Sequence, residues 1–445
     1  MRAALVSTLI VLVACGSSES TPTVDASADV VTGTDATTDA RADATGTDAT
    51  ADAPADGSPT CTNGLTPCPP NACVDTKIDP KNCGGCGVTC TSAQTCVGGA
   101  CLVCSPGFAS FVGYGGPAAS VALGDLDGDG KLDIALVDGA NLGVLLNAGN
   151  GTFGAQTNVA AGATPFAVTL ADVNADAKLD AIVTNNVVSG AISVLLGKGN
   201  GTFNTASAYS IGSGPRQNRV GDVNADGKPD IVVANSNSNT VGVLLGNGNG
   251  TFQAQVTYTV TANPESIALA DFNGDGKLDI VAAENFSSKL SILLNAGNGT
   301  FLAESLVNTG VAPSFLTVGD FDGDTKVDIA CANIGSNDVS VFKGNGNGTF
   351  AAGVTYPTGT QPRCIATADL DGDGKLDLAV AGAGINVHLG KGDGTFLPKT
   401  TYPAGGFPSF VALGDVSGDG KTDLVVGNQL AQEKVAVLLA STICK

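Results

Sequence analysis

The feature that most constrains the fold is a nine-residue acidic motif that occurs seven times. Its first copy reads DLDGDGKLD, from Asp125 to Asp133. The later copies begin at Asp172, Asp222, Asp271, Asp320, Asp369 and Asp415. Successive copies start 46 to 50 residues apart. A sequence period in this range is typical of solenoids and propellers.

Each repeat predicts four short β-strands and no helix. A proline precedes an alternating segment such as PESIALAD, and the acidic motif follows. Then come an almost wholly apolar run such as DIVVAN, a polar turn and a third strand such as TVGVLLG. A turn of the type GNGNGTF follows, and we expect the fourth strand to start at its phenylalanine. The apolar run suits a sheet covered on both faces. The pattern therefore predicts an all-β, seven-bladed β-propeller of four-stranded blades.

The two ends of the repeat region complement each other. The last repeat ends in VAVLLASTICK and lacks a fourth strand, whereas FASFVGYGG, residues 108–116, resembles a fourth strand and precedes the first repeat. We therefore predict that the N-terminal strand completes the seventh blade, which removes an open sheet edge. Cys104 and Cys444 flank this junction, and we expect a disulfide bond between them, closing a very long loop.

The acidic motif has the ligand spacing that Ca²⁺ prefers. Positions 1, 3, 5 and 9 supply side-chain oxygens, position 7 supplies a main-chain carbonyl, and glycine at position 6 permits a sharp bend. Mg²⁺ prefers octahedral geometry with retained waters and fits less well. We expect up to seven Ca²⁺ ions, one per blade, with the position-7 lysine side chains pointing to solvent. The candidate ligands are Asp125, Asp127, Asp129, Lys131, Asp133, Asp172, Asn174, Asp176, Lys178, Asp180, Asp222, Asn224, Asp226, Lys228, Asp230, Asp271, Asn273, Asp275, Lys277, Asp279, Asp320, Asp322, Asp324, Lys326, Asp328, Asp369, Asp371, Asp373, Lys375, Asp377, Asp415, Ser417, Asp419, Lys421 and Asp423.

The distribution of charge favours Ca²⁺ sites over the alternative, which is that the motifs are solvated acidic turns. The motifs hold 24 of the 42 acidic residues, and seven Ca²⁺ ions would move the formal charge from −21 to −7. Unneutralised carboxylates would repel, so we expect folding to be coupled to Ca²⁺. The copies are unequal: Ala177 and Thr325 occupy position 6, where positive φ would strain them. We expect the first and sixth sites to be tightest, and the second and seventh to be among the weakest.

The N-terminal region predicts export and a lipid anchor. An apolar run from Ala3 to Val13 is too short to span a membrane. It ends in LVAC, which resembles the lipobox of bacterial lipoproteins, with Cys15 as the lipidated residue; an ordinary signal peptide is the alternative. We predict a signal peptide at 1–14, a disordered Ala/Thr/Asp tether at 15–60, a cysteine-rich module at 61–104 and the propeller at 105–445. The expected location is the outer membrane or cell surface of a Gram-negative bacterium.

Cysteine usage indicates an oxidising compartment. Nine of the 13 cysteines lie between Cys61 and Cys104, where disulfides are the default in an exported chain. A zinc site at Cys83, Cys86 and Cys90 is the alternative, although no histidine lies nearby. Cys331 and Cys364 fall inside predicted strands; they either bridge neighbouring blades, which we favour slightly, or remain buried thiols.

Several function classes find no support in the sequence. A formal charge of −21 argues against nucleic-acid binding. The single histidine, His388, occupies an apolar core slot in phase with Leu145 and Leu195, so we expect it to be structural. No GxSxG, HExxH or P-loop pattern occurs. We therefore expect no enzyme; a Ca²⁺-dependent polysaccharide lyase is the alternative.

The acidic motifs, GNGTF turns and Gly-x-x-Pro lead-ins resemble FG-GAP/VCBS repeats, which build the propeller of integrin α-subunit heads. The resemblance implies Ca²⁺ loops on a lower face and partner binding on the opposite, upper face. Asparagine-rich turns and arginines suit a glycan or a protein partner. We expect partner contacts, in a monomeric protein, at Arg216, Asn237, Asn285, Asn333 and Arg363.

Overall fold

The computed structural model describes residues 104–429 and 434–444, together with Lys77 and four short strands earlier in the chain. The described strands fall in two units, Gly107–Ser441 and a second unit that holds residues Ser20–Pro106 with Thr442–Lys445. Cys15, the predicted tether and the cysteine pairing within 61–104 lie outside the described residues and stay predictions. The short strands of the second unit form two antiparallel hairpins, β1 (Thr66–Cys68) with β2 (Ala72–Val74) and β3 (Thr95–Val97) with β4 (Ala100–Leu102).

The repeat region forms seven four-stranded antiparallel sheets, which confirms the predicted propeller. Two strands precede the first repeat, β5 (Cys104–Phe108) and β6 (Val112–Tyr114). The strands of repeats one to three are β7 (Val121–Gly124), β8 (Asp133–Asp138), β9 (Asn141–Leu145), β10 (Asn147–Gly149), β11 (Thr152–Phe153), β12 (Thr157–Ala160), β13 (Pro165–Ala171), β14 (Asp180–Asn185), β15 (Ala191–Leu195), β16 (Ser207–Ser210), β17 (Pro215–Gly221), β18 (Asp230–Asn235), β19 (Thr240–Leu244) and β20 (Val256–Thr259).

The strands of repeats four to seven follow in the same pattern. They are β21 (Pro264–Ala270), β22 (Asp279–Glu284), β23 (Lys289–Leu293), β24 (Asn295–Gly297), β25 (Thr300–Phe301), β26 (Ser305–Asn308), β27 (Pro313–Gly319), β28 (Asp328–Asn333), β29 (Asp338–Phe342), β30 (Val354–Pro357), β31 (Cys364–Ala368), β32 (Asp377–Gly382), β33 (Gly384–His388), β34 (Thr400–Tyr402), β35 (Pro408–Gly414), β36 (Asp423–Asn428), β37 (Val435–Leu438) and β38 (Ala440–Cys444). One 3₁₀ turn, Ser236–Ser238, interrupts the third repeat, and no helix among the described residues is long and apolar enough to cross a membrane.

In blades one to six the strands lie side by side in chain order, as in β17-β18-β19-β20, and blade seven has the order β35-β36-β37-β6. Antiparallel pairing therefore places every first-to-second-strand connection, with its acidic motif, on one face, which we call the lower face. The second-to-third-strand turns lie on the opposite, upper face. The second strand is buried along its whole length in blades two to seven, as its apolar sequence predicted.

The fourth strand begins later than predicted. Phe203 of the glycine-rich turn forms only an isolated bridge with Gly197, and β16 begins four residues further on, at Ser207. The turn folds back on the end of the third strand because its glycines adopt positive φ, for example +70° at Gly199 and +74° at Gly201. Phe203 is consequently buried beneath the turn and does not lie in an outer strand.

The N-terminal strand closes the ring, as predicted. β6 pairs with β37 as the fourth strand of blade seven, with Val112 opposite Val437 and Tyr114 opposite Val435. β38 pairs with β5, so the strands that carry Cys104 and Cys444 are neighbours. The side chains of these two cysteines lie outside the described part, and their disulfide bond stays a prediction.

Aromatic contacts join the fourth strand of several blades to the next blade. Tyr258 on the fourth strand of blade three meets Phe301 of blade four edge-on, with ring centroids 5.3 Å apart. Tyr114 meets Phe153 of blade one at the same distance, and its hydroxyl donates to the Gly151 carbonyl oxygen at 3.3 Å. The joint between blades seven and one is therefore built like an internal joint.

The expected bridge between Cys331 and Cys364 is wrong. Cys331 is a free thiol, fully buried in β28, and this burial raises its pKa. It packs as a small apolar side chain. Cys364, at the start of β31, is disulfide-bonded to a cysteine other than Cys331.

Ring closure can be tested with matched tyrosine variants. We expect Tyr114→Ala and Tyr258→Ala each to lower the free energy of unfolding by about 2 kcal/mol, because each removes one edge-to-face contact and part-buried area. Chemical denaturation measures both values. A loss in Tyr258→Ala with no change in Tyr114→Ala would show that β6 does not close the ring in solution.

Candidate metal centre

The acidic motif folds around its first carboxylate. Asp125 Oδ1 accepts the main-chain N–H groups of Gly128 (2.7 Å) and Asp129 (3.2 Å), and Oδ2 accepts that of Gly130 (2.9 Å). Asp369 makes the same contacts in the sixth motif, with Gly372 at 2.7 Å and Gly374 at 2.8 Å. Because one carboxylate satisfies three donors, it holds the loop in a tight turn.

Positions 4 and 6 of the motif lie in the left-handed region. The φ of Ala177 is +62° and that of Thr325 is +69°, which confirms the strain expected at position 6. Position 4 shows the same conformation, at Ala175 (+61°) and Ala225 (+58°), a constraint that the sequence analysis missed. A residue with a Cβ in this conformation lowers the stability of the folded state by about 1–2 kcal/mol. The second motif has two such residues.

The ninth aspartate is buried and joins the motif to the third strand of its own blade. Asp133 Oδ2 accepts the N–H of Leu126 at 2.8 Å, and Oδ1 accepts that of Asn147 at 2.7 Å. The side chains at this position are 1% exposed or less in every blade. The corresponding pairs in the other blades are Asp180–Gly197, Asp230–Gly246, Asp279–Asn295, Asp328–Gly344, Asp377–Gly390 and Asp423–Ala440, at 2.6–2.7 Å.

The motif also supports the neighbouring blade. The carbonyl oxygen at position 2 accepts a main-chain N–H from the glycine-rich turn of the next blade, as in Gly201 to Leu126 (2.8 Å) and Gly348 to Phe272 (2.8 Å). In the fourth blade the Asn295 side-chain amide donates to the Val223 carbonyl at 2.8 Å. Six acidic loops, those of the first five motifs and the seventh, thus contact the next blade through the position-2 carbonyl.

Three motifs bring three carboxylates together. In the first, fifth and sixth motifs, one oxygen from each of positions 1, 3 and 9 lies within 4.8 Å of the others. The clusters, taken over the described residues, are Asp125, Asp127 and Asp133; Asp320, Asp322 and Asp328; and Asp369, Asp371 and Asp377. Converging carboxylate oxygens fit a hard, oxygen-preferring cation such as Ca²⁺. In the other motifs Asn or Ser replaces the acid at position 3.

Positions 5 and 7 differ from the expectation. The lysines are about half exposed, but their ammonium groups fold back onto the position-5 carboxylate, for example Lys277 Nζ at 2.8 Å from Asp275 Oδ2. The same pairing recurs in all seven motifs. The lysine is drawn back because it is the nearest cation to a group of carboxylates. The position-5 oxygens accordingly lie outside the three clusters.

Burial controls the protonation of the ninth aspartate. Burial, with a smaller contribution from nearby carboxylates, raises the pKa of Asp133 and Asp328 to about 6 and that of Asp377 to about 7. The main-chain N–H donors lower the pKa but do not offset burial. A bound cation would supply the positive charge that favours the ionised form.

Two arginines predicted to contact a partner lie at the upper face and stack on phenylalanines. The Arg216 guanidinium carbon lies 4.8 Å from the Phe166 ring centroid, and its Nε is 3.2 Å from Glu265. The Arg363 guanidinium carbon lies 4.7 Å from the Phe407 ring centroid. Both arginines are partly exposed, so both remain available to a partner.

The three predicted asparagines differ in accessibility. Asn237 is exposed, and Asn285 is half-buried, with its amide donating to the Pro313 carbonyl at 3.2 Å. Asn333 is fully buried, and its amide donates to Asp338 (2.7 Å) and Ser340 (2.9 Å). The expectation that Asn333 contacts a partner is therefore wrong, because its polar atoms hold the turn between β28 and β29.

The buried aspartates predict an unusual pH dependence for the metal-free protein. An aspartate in the unfolded chain has a pKa near 3.9, so the raised values favour folding at low pH, and that stability is lost as pH rises through 6 to 7. We expect the melting temperature of chelator-treated protein to fall between pH 5 and pH 7.5. Saturating Ca²⁺ should remove or reverse this trend. A metal-free melting temperature that rises over this interval would contradict the assignment.

Comparisons with known proteins agree with this geometry. The sequence matches FG-GAP-like repeats at residues 125–183, 179–233, 222–282, 271–331, 320–380 and 371–426. No curated protein matches it at a significant level. Similar solved structures include BBS1N in complex with ARL6DN (13% identity, TM-score 0.54, covering 75% of this chain and 96% of that one) and virginiamycin B lyase from Staphylococcus aureus (15%, 0.51, 75% and 99%).

A lectin from Agrocybe aegerita that recognises non-reducing terminal N-acetylglucosamine is also similar, at 20% identity and a TM-score of 0.49, covering 72% of this chain and 84% of that one. At 13% and 15% identity, the likenesses to BBS1N and to virginiamycin B lyase show the propeller fold alone. The repeat matches span most of the chain and coincide with the acidic motifs described above. The chain therefore belongs to the family of FG-GAP-like repeat proteins.

Proposed function

We propose that this protein is a calcium-stabilised, non-enzymatic ligand-binding propeller, held at a bacterial outer membrane or cell surface by a lipid on Cys15. The observation that carries the proposal is the convergence of three carboxylates in the first, fifth and sixth motifs, the first and fifth of which lie at joints where the next blade's turn donates to position 2. A site in this position suits a structural ion, because it repeats with the blades and is not a single catalytic centre.

The residues that would hold Ca²⁺ are those at positions 1, 3 and 9, with the position-7 carbonyl as a further oxygen donor. When bound, the ion supplies positive charge to carboxylates that otherwise repel one another. The protein's own part is to hold the ninth aspartate in place through two main-chain N–H groups, as at Asp377 with Leu370 and Gly390. Binding would then stiffen the loop and, through position 2, the adjoining blade.

The upper face offers a place for a ligand. A cavity of about 150 Å³ lies between blades six and seven, with Arg363 and Phe407 in its lining. It opens because the turn between β32 and β33 is a single residue, Ala383, whereas the corresponding turns of blades two to five have four or five residues. A cavity of this size admits a carboxylate group, and arginine pairs with carboxylates through charge-assisted hydrogen bonds. We propose an acidic glycan, or an acidic side chain of a protein partner, as the ligand.

A non-enzymatic role is supported by the surroundings of the one histidine. His388 is 1% exposed, and its ring nitrogens lie 3.3 Å from the Leu397 carbonyl oxygen and 3.2 Å from the Thr358 hydroxyl. Burial lowers its pKa. A histidine enclosed in this way fills a core slot and does not reach a substrate, in line with the sequence expectation.

Calcium dependence can be tested by thermal unfolding. We expect millimolar Ca²⁺ to raise the melting temperature by roughly 5 °C or more over the EDTA-treated protein, since each site stabilises the folded state by about 2.7 kcal/mol at 100 times its Kd. Mg²⁺ at the same concentration, as the control, should have a smaller effect. Equal melting temperatures in Ca²⁺ and EDTA would refute the structural role of the ion.

Ligand binding can be tested on a glycan array with and without EDTA. We expect uronate-containing or sialylated glycans to bind the wild-type protein, and Arg363→Ala to weaken that binding about tenfold or more, because a charged hydrogen bond is lost. Arg363→Lys is the matched control, because it keeps the positive charge but removes the planar guanidinium group that pairs with carboxylates and stacks on aromatic rings. A glycan signal that both variants retain in full would place the ligand elsewhere, and an empty array would favour a protein partner.

A further inference from the structure

Two residues depart from the repeat where blade five meets blade six. The residue after the third strand is leucine in the other six repeats, at Leu146, Leu196, Leu245, Leu294, Leu389 and Leu439, but in blade five it is Lys343. The turn that faces it carries Asp393. Five other turns have asparagine there, at Asn150, Asn200, Asn249, Asn298 and Asn347. Both departures introduce charge, and they meet at one joint.

The leucine of the ordinary repeat is a packing residue. A Cβ added to Gly201 would lie 2.8 Å from Leu146 Cδ2, and one added to Gly348 would lie 2.9 Å from Leu294 Cδ1, so each leucine covers a glycine of the next turn. The Lys343 stem fills the same place, with Cε against Gly394. The lysine therefore keeps the packing of the joint and adds an ammonium group to it.

That ammonium group reaches the fifth acidic motif. Lys343 Nζ lies 3.1 Å from Asp322 Oδ2 and donates to the Asp393 carbonyl oxygen at 2.5 Å. Asp322 is the position-3 member of the fifth carboxylate cluster, and its side chain is only 14% exposed. The first and sixth clusters have the uncharged Leu146 and Leu389 at the corresponding place.

We infer that Lys343 is a built-in counter-ion of the fifth motif, which makes this motif the weak member of the three carboxylate clusters and joins blades five and six without a metal ion. The inference rests on the proposed binding of Ca²⁺. A cation among Asp320, Asp322 and Asp328 must either displace the ammonium group from Asp322 or remain close to it, and both cost free energy. We expect the fifth motif to need at least tenfold more Ca²⁺ for half-saturation than the first and sixth.

The test is a Ca²⁺ titration read by hydrogen–deuterium exchange of peptides that contain the individual motifs. In the full-length protein, peptides over 125–133 and 369–377 should become protected at lower Ca²⁺ than the peptide over 320–328. Lys343→Leu, which restores the residue of the other six repeats, should lower the midpoint of the fifth motif at least tenfold. Leu146→Lys, the reciprocal variant, should raise the midpoint of the first motif and leave the sixth unchanged.

Each outcome decides the inference. Equal midpoints for the three motifs in the wild-type protein, or a fifth-motif midpoint that Lys343→Leu does not move, would overturn the role of Lys343 while leaving Ca²⁺ binding intact. Protection of no motif at any Ca²⁺ concentration would overturn the proposed function and this inference together. Melting curves in EDTA show whether the variants fold, and a midpoint shift confined to the substituted blade supports the inference.

Discussion

The buried aspartate at position 9 of each acidic motif is the interaction on which the rest of the ring depends. Its two oxygens accept one N–H from the loop and one from the second residue after the third strand, as Asp328 does with Phe321 and Gly344. An unpaired carboxylate in such a place would be costly, and the two donors offset part of that cost. The aspartate thereby fixes the position-2 carbonyl, which in six of the seven motifs accepts an N–H from the next blade. In these repeats one side chain links loop, strand and neighbouring blade.

Much of this arrangement follows from sequence period and polarity. Seven motifs spaced 46 to 50 residues apart predict the number of blades, and the missing fourth strand of the last repeat predicts that residues 112–114 close the ring. The start of the fourth strand was placed too early, because the phenylalanine of GNGTF suggests a strand while the preceding glycines turn the chain back. The burial of His388 could be predicted from the sequence, because the other repeats have apolar residues at the corresponding position. The burial of Asn333 could not be predicted, since asparagine occurs both in exposed turns and in buried turns where it satisfies main-chain groups.

The candidate metal centre was only partly predictable, for a physical reason. Spacing identifies which oxygens are near one another along the chain, but not which way each side chain turns. The structure gathers positions 1, 3 and 9 and leaves position 5 to the lysine two residues later. Local pairing between residues i and i+2 competes with convergence on a common centre, and a sequence pattern gives no measure of that competition. Lys343, 21 residues after Asp322, was visible as a departure from leucine, but only the folded joint shows which motif it reaches.

The seven acidic motifs thus have nearly equivalent backbone conformations, but the charges of their side chains differ. Three motifs carry a full set of three carboxylates, four substitute Asn or Ser, and one of the full sets has an additional ammonium group, that of Lys343, beside its position-3 carboxylate. If every joint required a cation, the ring would be only as stable as its weakest site. Under the proposed Ca²⁺ binding, a joint closed by Lys343 would need no ion, and blades five and six would keep their stability at low Ca²⁺. Sites of unequal affinity would then let individual blades stiffen at different Ca²⁺ concentrations while the overall fold persists.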